Sequence, residues 1–245
     1  MWALIKKELQ AFFGSTLGYL VMLLFLVLVG LFLWVFKQGF NIFEQGFANL
    51  VPFFDLVPWI FLFLIPAITM RSFSEEKRTG TLELLLLKPL SLTEIVTGKL
   101  LAAFLLGLFT LLPTLTYILA VSSLGTTIGN LDMGLVSGAY FGLCFLLLVY
   151  VAIGIFSSSI SDNQIIAFLI GASLSFMVYY GPEAAATLFS SGSLQEQIIG
   201  IGAKAHFENI AKGILTVPDL IYFLSLAVFF VVLTTLTLNS SKTAS

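Results

Sequence analysis

Charge is the scarcest commodity in this sequence. Asp, Glu, Lys and Arg together make up 10% of the 245 residues, where a soluble domain carries about 25%. Apolar residues reach 59%, and mean hydropathy is +1.07. No single water-soluble core accommodates that excess, so the bilayer must be part of the solvent. Formal net charge is −2, which leaves no broad basic surface for nucleic acid. Cysteine is nearly absent. Cys144 stands alone in an apolar run, so no intrachain disulfide or thiolate metal cluster can form, and the residue reads as a small packing hydrophobe. Histidine is equally rare: His206 has no second soft ligand nearby, which argues against a metal site.

The catalytic motifs are missing as well. There is no HExxH, no pair of inward carboxylates, no nucleophile beside a base, and no Gly-rich phosphate loop ending in Gly-Lys-Ser/Thr. The chain is therefore not expected to be an enzyme, to bind a cofactor or to hydrolyse nucleotide. The apolar runs hold almost no ionisable group away from their ends, Asp55 at an outer boundary being the nearest. Ion-coupled carriers place such groups inside the bundle despite their cost.

What the sequence does have is apolar runs of membrane-crossing length. They cover 17–36, 54–70, 100–121, 134–156, 165–180 and 220–238. About 20 helical residues cross roughly 30 Å of hydrocarbon. Helix is the expected form, because lipid offers no partner to backbone polar groups and the two-residue alternation of a barrel is absent. The first run follows Lys6 and Lys7 as a signal peptide would, but its length and the lack of a small-residue cleavage pattern predict a retained span. Before it, Trp2, Ile5, Leu9 and Phe12 recur at helical spacing with Lys6, Lys7 and Gln10 between them, the pattern of an interfacial helix. A polar tail, 239–245, is expected to be loose.

Basic residues set the orientation. With six spans, one side receives Lys6, Lys7, Arg71, Lys77, Arg78, Lys88, Lys99 and Lys242, and the other Lys37, Lys204 and Lys212. Both termini, the 71–99 loop and the 157–164 turn are thus expected in the cytoplasm, with 37–53, 122–133 and 181–219 outside. Gly138 with Gly142, and Gly171 with Ser175, put small residues four apart, suited either to close packing in one bundle or to a dimer seam.

The 71–99 loop has internal order. A charged cluster, Glu75-Glu-Lys-Arg78, meets a turn at Gly80; a short apolar helix follows and stops before Pro89. Ser91 and Glu94 then form the pattern of a capping box. Two short helices flanking a proline turn would either frame the span ends or dock a partner. In the outer segment, Phe207, Ile210 and Ile214 make an apolar stripe, with His206, Glu208 and Lys212 off it, as in a surface amphipathic helix.

The stretch Phe73-Ser-Glu-Glu-Lys-Arg-Thr-Gly-Thr-Leu-Glu-Leu-Leu-Leu, continued by Lys-Pro-Leu-Ser and Glu-Ile-Val-Thr-Gly-Lys99, resembles the signature of the second class of ABC exporter permeases. The segment from His206 to Leu215 and that beginning Asp219-Leu-Ile-Tyr are similar to the end of the same family. Gly18-Tyr-Leu, Leu33-Trp-Val-Phe, Pro58-Trp, Ile65-Pro-Ala-Ile-Thr-Met-Arg-Ser-Phe and Ser161-Asp-Asn-Gln look like the permeases of the gliding-motility-associated (Gld) ABC transporters of Bacteroidota. The resemblance covers nearly the whole chain.

It implies an all-α membrane protein, a type V-like exporter half with six transmembrane helices and an N-terminal elbow helix, forming one permease domain over 1–245 in the bacterial inner membrane. It implies a cytoplasmic ABC ATPase subunit that carries ATP and Mg, a second permease half, identical or related, and lipid around both. Glu75, Glu76, Lys77, Arg78, Gly80, Thr81, Leu82 and Glu83 would form the element that couples to the ATPase, with the 157–164 turn as a lesser contact. His206, Phe207 and Glu208 would belong to an outer gate. A membrane scaffold without transport activity and an ATP-independent channel or carrier remain the alternatives at this level.

Overall fold

In the computed structural model, which describes residues 1–37, 39–87, 89–125 and 131–244, the regular elements are helices. Lys88, the middle of the 122–133 turn and the side chain of Lys242 lie outside the described residues. The chain begins with α1 (Trp2–Phe13), then α2 (Thr16–Gly30), which runs on through a wider π-helical turn, Leu31–Val35. Helix α3 (Val51–Thr69) bends into α4 (Arg71–Arg78), and α5 (Leu82–Leu86) follows. Helix α6 (Leu92–Leu111) passes through a tight turn at Pro113 into α7 (Thr116–Leu124). The remainder is α8 (Met133–Ile160), α9 (Gln164–Tyr179), the short α10 (Gly181–Ala186), α11 (Gly192–Ile199) and α12 (Ala203–Ala211), and finally α13 (Val217–Ala244).

Helix α8 is the hub. It packs against α3, α4, α6, α9, α12 and α13. From Val149 to Ser159 only Phe156 is not buried, as a helix apolar all round requires. Gly154 lets α3 come close: a Cβ there would stand 2.0 Å from Thr69 Oγ1. The small residues singled out above serve the same end. A Cβ on Gly138 or Gly142 would meet Ile210, and one on Gly171 would meet Ser157 and Pro66. Both pairs therefore pack within this bundle. Helix α13 instead shows a lipid-suited stripe, Ile221, Leu224, Val228, Val232 and Leu236, and buries Phe223, Phe230 and Leu238.

Among the described residues, five helical segments are long and apolar enough to cross a membrane: Gly18–Val35, Val51–Arg78, Leu92–Leu124, Met133–Ile160 and Val217–Ser240. The expected fifth run is α9, whose 16 residues rise about 24 Å. Ring contacts Phe145–Phe223 at 6.3 Å and Phe156–Phe230 at 5.6 Å show that α8 and α13 run the same way. Between them α9 runs back, with Gly171 beside Ser157 and Tyr179 stacked edge-on to Tyr150 at 6.3 Å.

One expectation is corrected at the C-terminal end. The tail is helical through Ala244 rather than loose beyond 238; it holds neither Gly nor Pro, so nothing in it stops the helix. In α1 the inward face is Leu4, Ile5, Glu8 and Phe12, while Trp2 is 72% exposed. The bond from Lys99 to Glu8 turns that face to the bundle and leaves Trp2 on the side open to lipid.

Candidate functional site

The loop that follows α3 is built into the bundle at one end and free at the other. Its fixed part is α4. At the bend between α3 and α4, the Ser158 hydroxyl accepts the Phe73 and Ser74 amides at 2.8 and 3.1 Å and donates to the Met70 carbonyl at 3.1 Å. Amides in the first turn of a helix lack intrahelical partners, and a hydroxyl from α8 supplies one here. Ser74 Oγ also donates to the Met70 carbonyl. Further along α4, Lys77 Nζ donates to the Ser159 carbonyl at 2.5 Å. A cation is favoured there because the last carbonyls of α8 are the negative end of its dipole.

The other face of α4 meets Lys99. Its ammonium, on a side chain 2% exposed, donates to Glu76 Oε1 at 2.9 Å, to Glu8 Oε1 at 3.0 Å and to the Ser72 carbonyl at 2.6 Å. Those three bonds use all three of its donors. The same nitrogen stands 5.0 Å from the centre of the Phe73 ring, a cation–π distance. One side chain of α6 thus ties α1 and α4 together. Lys7 adds a weaker approach to Glu76, at 3.9 Å.

Helix α4 ends in a Schellman motif. Gly80 takes φ +69°, the Thr81 amide bonds back to the Glu76 carbonyl at 2.9 Å, and the Gly80 amide bonds to that of Lys77 at 3.2 Å. The turn aims α5 away from α4. Leu82 and Leu85 face inward at 8% and 5% exposure, while Leu84 and Leu87 stand out at 63% and 81%, beside an exposed Glu83. Ser91 then restarts the chain with both bonds of a capping box to Glu94.

The eight loop residues singled out by sequence therefore separate. Glu76 and Lys77 point inward and hold α4 to the bundle, Leu82 anchors α5, and Glu75 is half-buried. Arg78, Gly80, Thr81 and Glu83 are exposed. Sequence reasoning missed Glu8, Lys99 and Ser158. A signal existed for the first two: Glu8 lies one turn from Leu4 and from Phe12, and Lys99 interrupts an apolar run on a helix begun by a strong cap. The 157–164 turn buries Ser157, Ser158 and Ser159 against its neighbours and exposes Asp162 and Asn163, the latter capping α9.

At the opposite end, α12 lies on the N-terminal half of α8, with Phe207 and Ile210 set against Gly142. His206 Nδ1 is 2.5 Å from Asp219 Oδ1, its ring stacks on Tyr222 at 4.0 Å, and Thr216 Oγ1 donates to Asp219 Oδ2 at 2.7 Å. Tyr222 donates to the Ile201 carbonyl at 2.7 Å. His206 and Phe207 thus clasp α12 to α13 and α8. Glu208 sits further out, 3.5 Å from Lys212 and 3.8 Å from Lys204, and Lys204 also meets Glu183 at 2.6 Å. Among the described residues, no group of three His, Cys, Asp or Glu side chains is placed to hold a metal.

Compared with known protein families, residues 2–244 match the family model described as ABC-2 family transporter protein. No curated protein matches the chain.

Proposed function

The chain belongs to the ABC-2 family of transporter proteins, and from that premise we propose that it is a six-span exporter half whose exposed α5 receives the push of a separate ATPase subunit. Membership makes it a multi-pass membrane permease of an ABC transporter, a component that is not itself catalytic and whose family works with an ATPase subunit. The finer reading rests on one observation: α4 is pinned to α1, α6 and α8 by buried polar contacts, and carries α5 as a projecting, half-apolar helix. A push on α5 would reach three helices at once, which is what a two-state bundle needs in order to be tilted by ATP binding.

Orientation supports the same reading. Lys6, Lys7, Arg71, Lys77, Arg78 and Lys99 gather at the α4 end, and Lys204 and Lys212 at the other, so the basic bias puts α5 in the cytoplasm. On this reading the return of the chain through α9 is the sixth crossing, with both termini on that side. On this reading ATP and Mg stay with the partner, a second permease half completes the path, and α10–α12 cap it outside. The sequence resemblance to gliding-motility permeases supports export in that setting.

Glu83→Lys tests the docking role. Glu83 is exposed, so stability should stay within about 0.5 kcal/mol of the parent. The ATPase activity of the purified complex should lose its response to the permease. Normal coupling and normal assembly in this variant would remove α5 as the docking element.

A further inference from the structure

A cleft of about 330 Å³ opens between α1, the α3–α4 bend and α6. Its floor is apolar, with Ala67, Ile68, Ala103 and Leu106; its rim is charged, with Lys7, Arg71, Glu75 and Glu76. It sits where the apolar spans give way to charged helices, the depth of a lipid headgroup. Its volume is at the lower bound of ligand clefts, enough for a headgroup and not for a whole lipid.

The rim offers charge of both signs that no protein group pairs among the described residues. Among the described residues Arg71 and Glu75 make no ion pair. Glu76 Oε2 is buried without a hydrogen-bond partner, although Oε1 of the same group is bonded to Lys99. A buried carboxylate oxygen left bare is costly and calls for a donor. A simple anion would face the carboxylates of Glu8, Glu75 and Glu76, and a simple cation would face Lys7, Arg71 and Lys99. A zwitterion offering an N–H donor at one end and a phosphate at the other matches both sets, the phosphate meeting Arg71 and Lys7.

We propose that this cleft binds the headgroup of a zwitterionic phospholipid bearing a primary ammonium, phosphatidylethanolamine in chemical class, with the ammonium toward Glu75 and Glu76. Phosphatidylcholine has the same charges, but its quaternary nitrogen donates no hydrogen bond. The cleft should therefore discriminate between them although their net charge is equal. The site depends on residence in a bilayer and not on ATPase docking, so the Glu83→Lys result bears on the docking alone.

The test is competition between lipids for the purified full chain in nanodiscs of equimolar phosphatidylethanolamine, phosphatidylcholine and phosphatidylglycerol, read by native mass spectrometry of the lipid retained on release. Phosphatidylethanolamine should exceed phosphatidylcholine by about ten-fold or more, the worth of a charge-assisted hydrogen bond. Glu75→Gln and Arg71→Gln, neither of which breaks an ion pair, should each reduce that preference at least several-fold while leaving the thermal midpoint unchanged. Equal retention of the two lipids, a preference for phosphatidylglycerol, or a preference unchanged in both variants would overturn the proposal. Displacement of the retained lipid by millimolar glycerophosphoethanolamine would overturn the membrane lipid as the source of the headgroup.

Discussion

Replacing Lys99 by Met removes a cation from between two carboxylates while keeping most of the side-chain volume. Glu8 and Glu76 would then face one another across the space the ammonium held, and the Ser72 carbonyl would lose its donor. Breaking a buried pair by deleting one partner costs about 3–5 kcal/mol. The carboxylates here are 25% and 15% exposed, so water reaches them in part and the lower figure, about 3 kcal/mol, applies. For a chain of this size that is a fall of roughly 6–12 °C in the thermal midpoint. The assay is tryptophan fluorescence during a fixed-rate thermal scan in detergent, because unfolding of such a protein is not expected to be reversible. The control is the triple variant Lys99→Met, Glu8→Gln, Glu76→Gln, in which no buried charge is left unpaired. It should recover most of the lost stability, since a buried ion pair contributes little net beyond its apolar replacement. A single variant within 2 °C of the parent, or a triple variant no better than the single, would refute the claim that Lys99 holds Glu8 and Glu76 in a buried ion cluster.

Two further perturbations probe the rest of the loop. Ser158→Ala leaves the Phe73 and Ser74 amides without the hydroxyl they share, at a cost of about 1–3 kcal/mol; hydrogen exchange at those two amides should accelerate more than at the buried core of α8, and equal rates would contradict the pinning of α4. Gly80→Ala should cost about 1 kcal/mol, because the φ of +69° is strained for a side chain although the space around it is open; Gly80→Asn, which tolerates that conformation better, should cost less, and the reverse order would disprove the strain.

Much of this architecture was legible from the apolar runs, because a membrane span must keep its own backbone bonds and so leaves a long, uniform signal. The local punctuation was legible too: Ser91 and Glu94 form the capping box, Gly80 closes α4 and α5 stops short of Pro89. These features depend on neighbours within a few residues. What the sequence could not show is which side of each helix finds a distant partner. Glu76 and Lys77 sit among four consecutive charges and read as part of one element that frames the spans or docks a partner, yet each turns to a group from another segment, Lys99 and the Ser159 carbonyl. The bundle-facing side of α1 was hidden for the same reason, since Glu8 is drawn in by a lysine 91 residues away. His206 looked like a residue off the stripe of a surface helix, and the carboxylate it bonds, Asp219, lies in the first turn of the next long helix.

On the proposed mechanism α5 is the surface that touches the ATPase. A photo-crosslinking residue at Leu84, 63% exposed on α5, should capture the nucleotide-binding subunit in native membranes, and one at Ile214, 57% exposed beyond α12, should not. Crosslinks from Ile214 to that subunit, or none from Leu84 while the complex remains assembled, would contradict it.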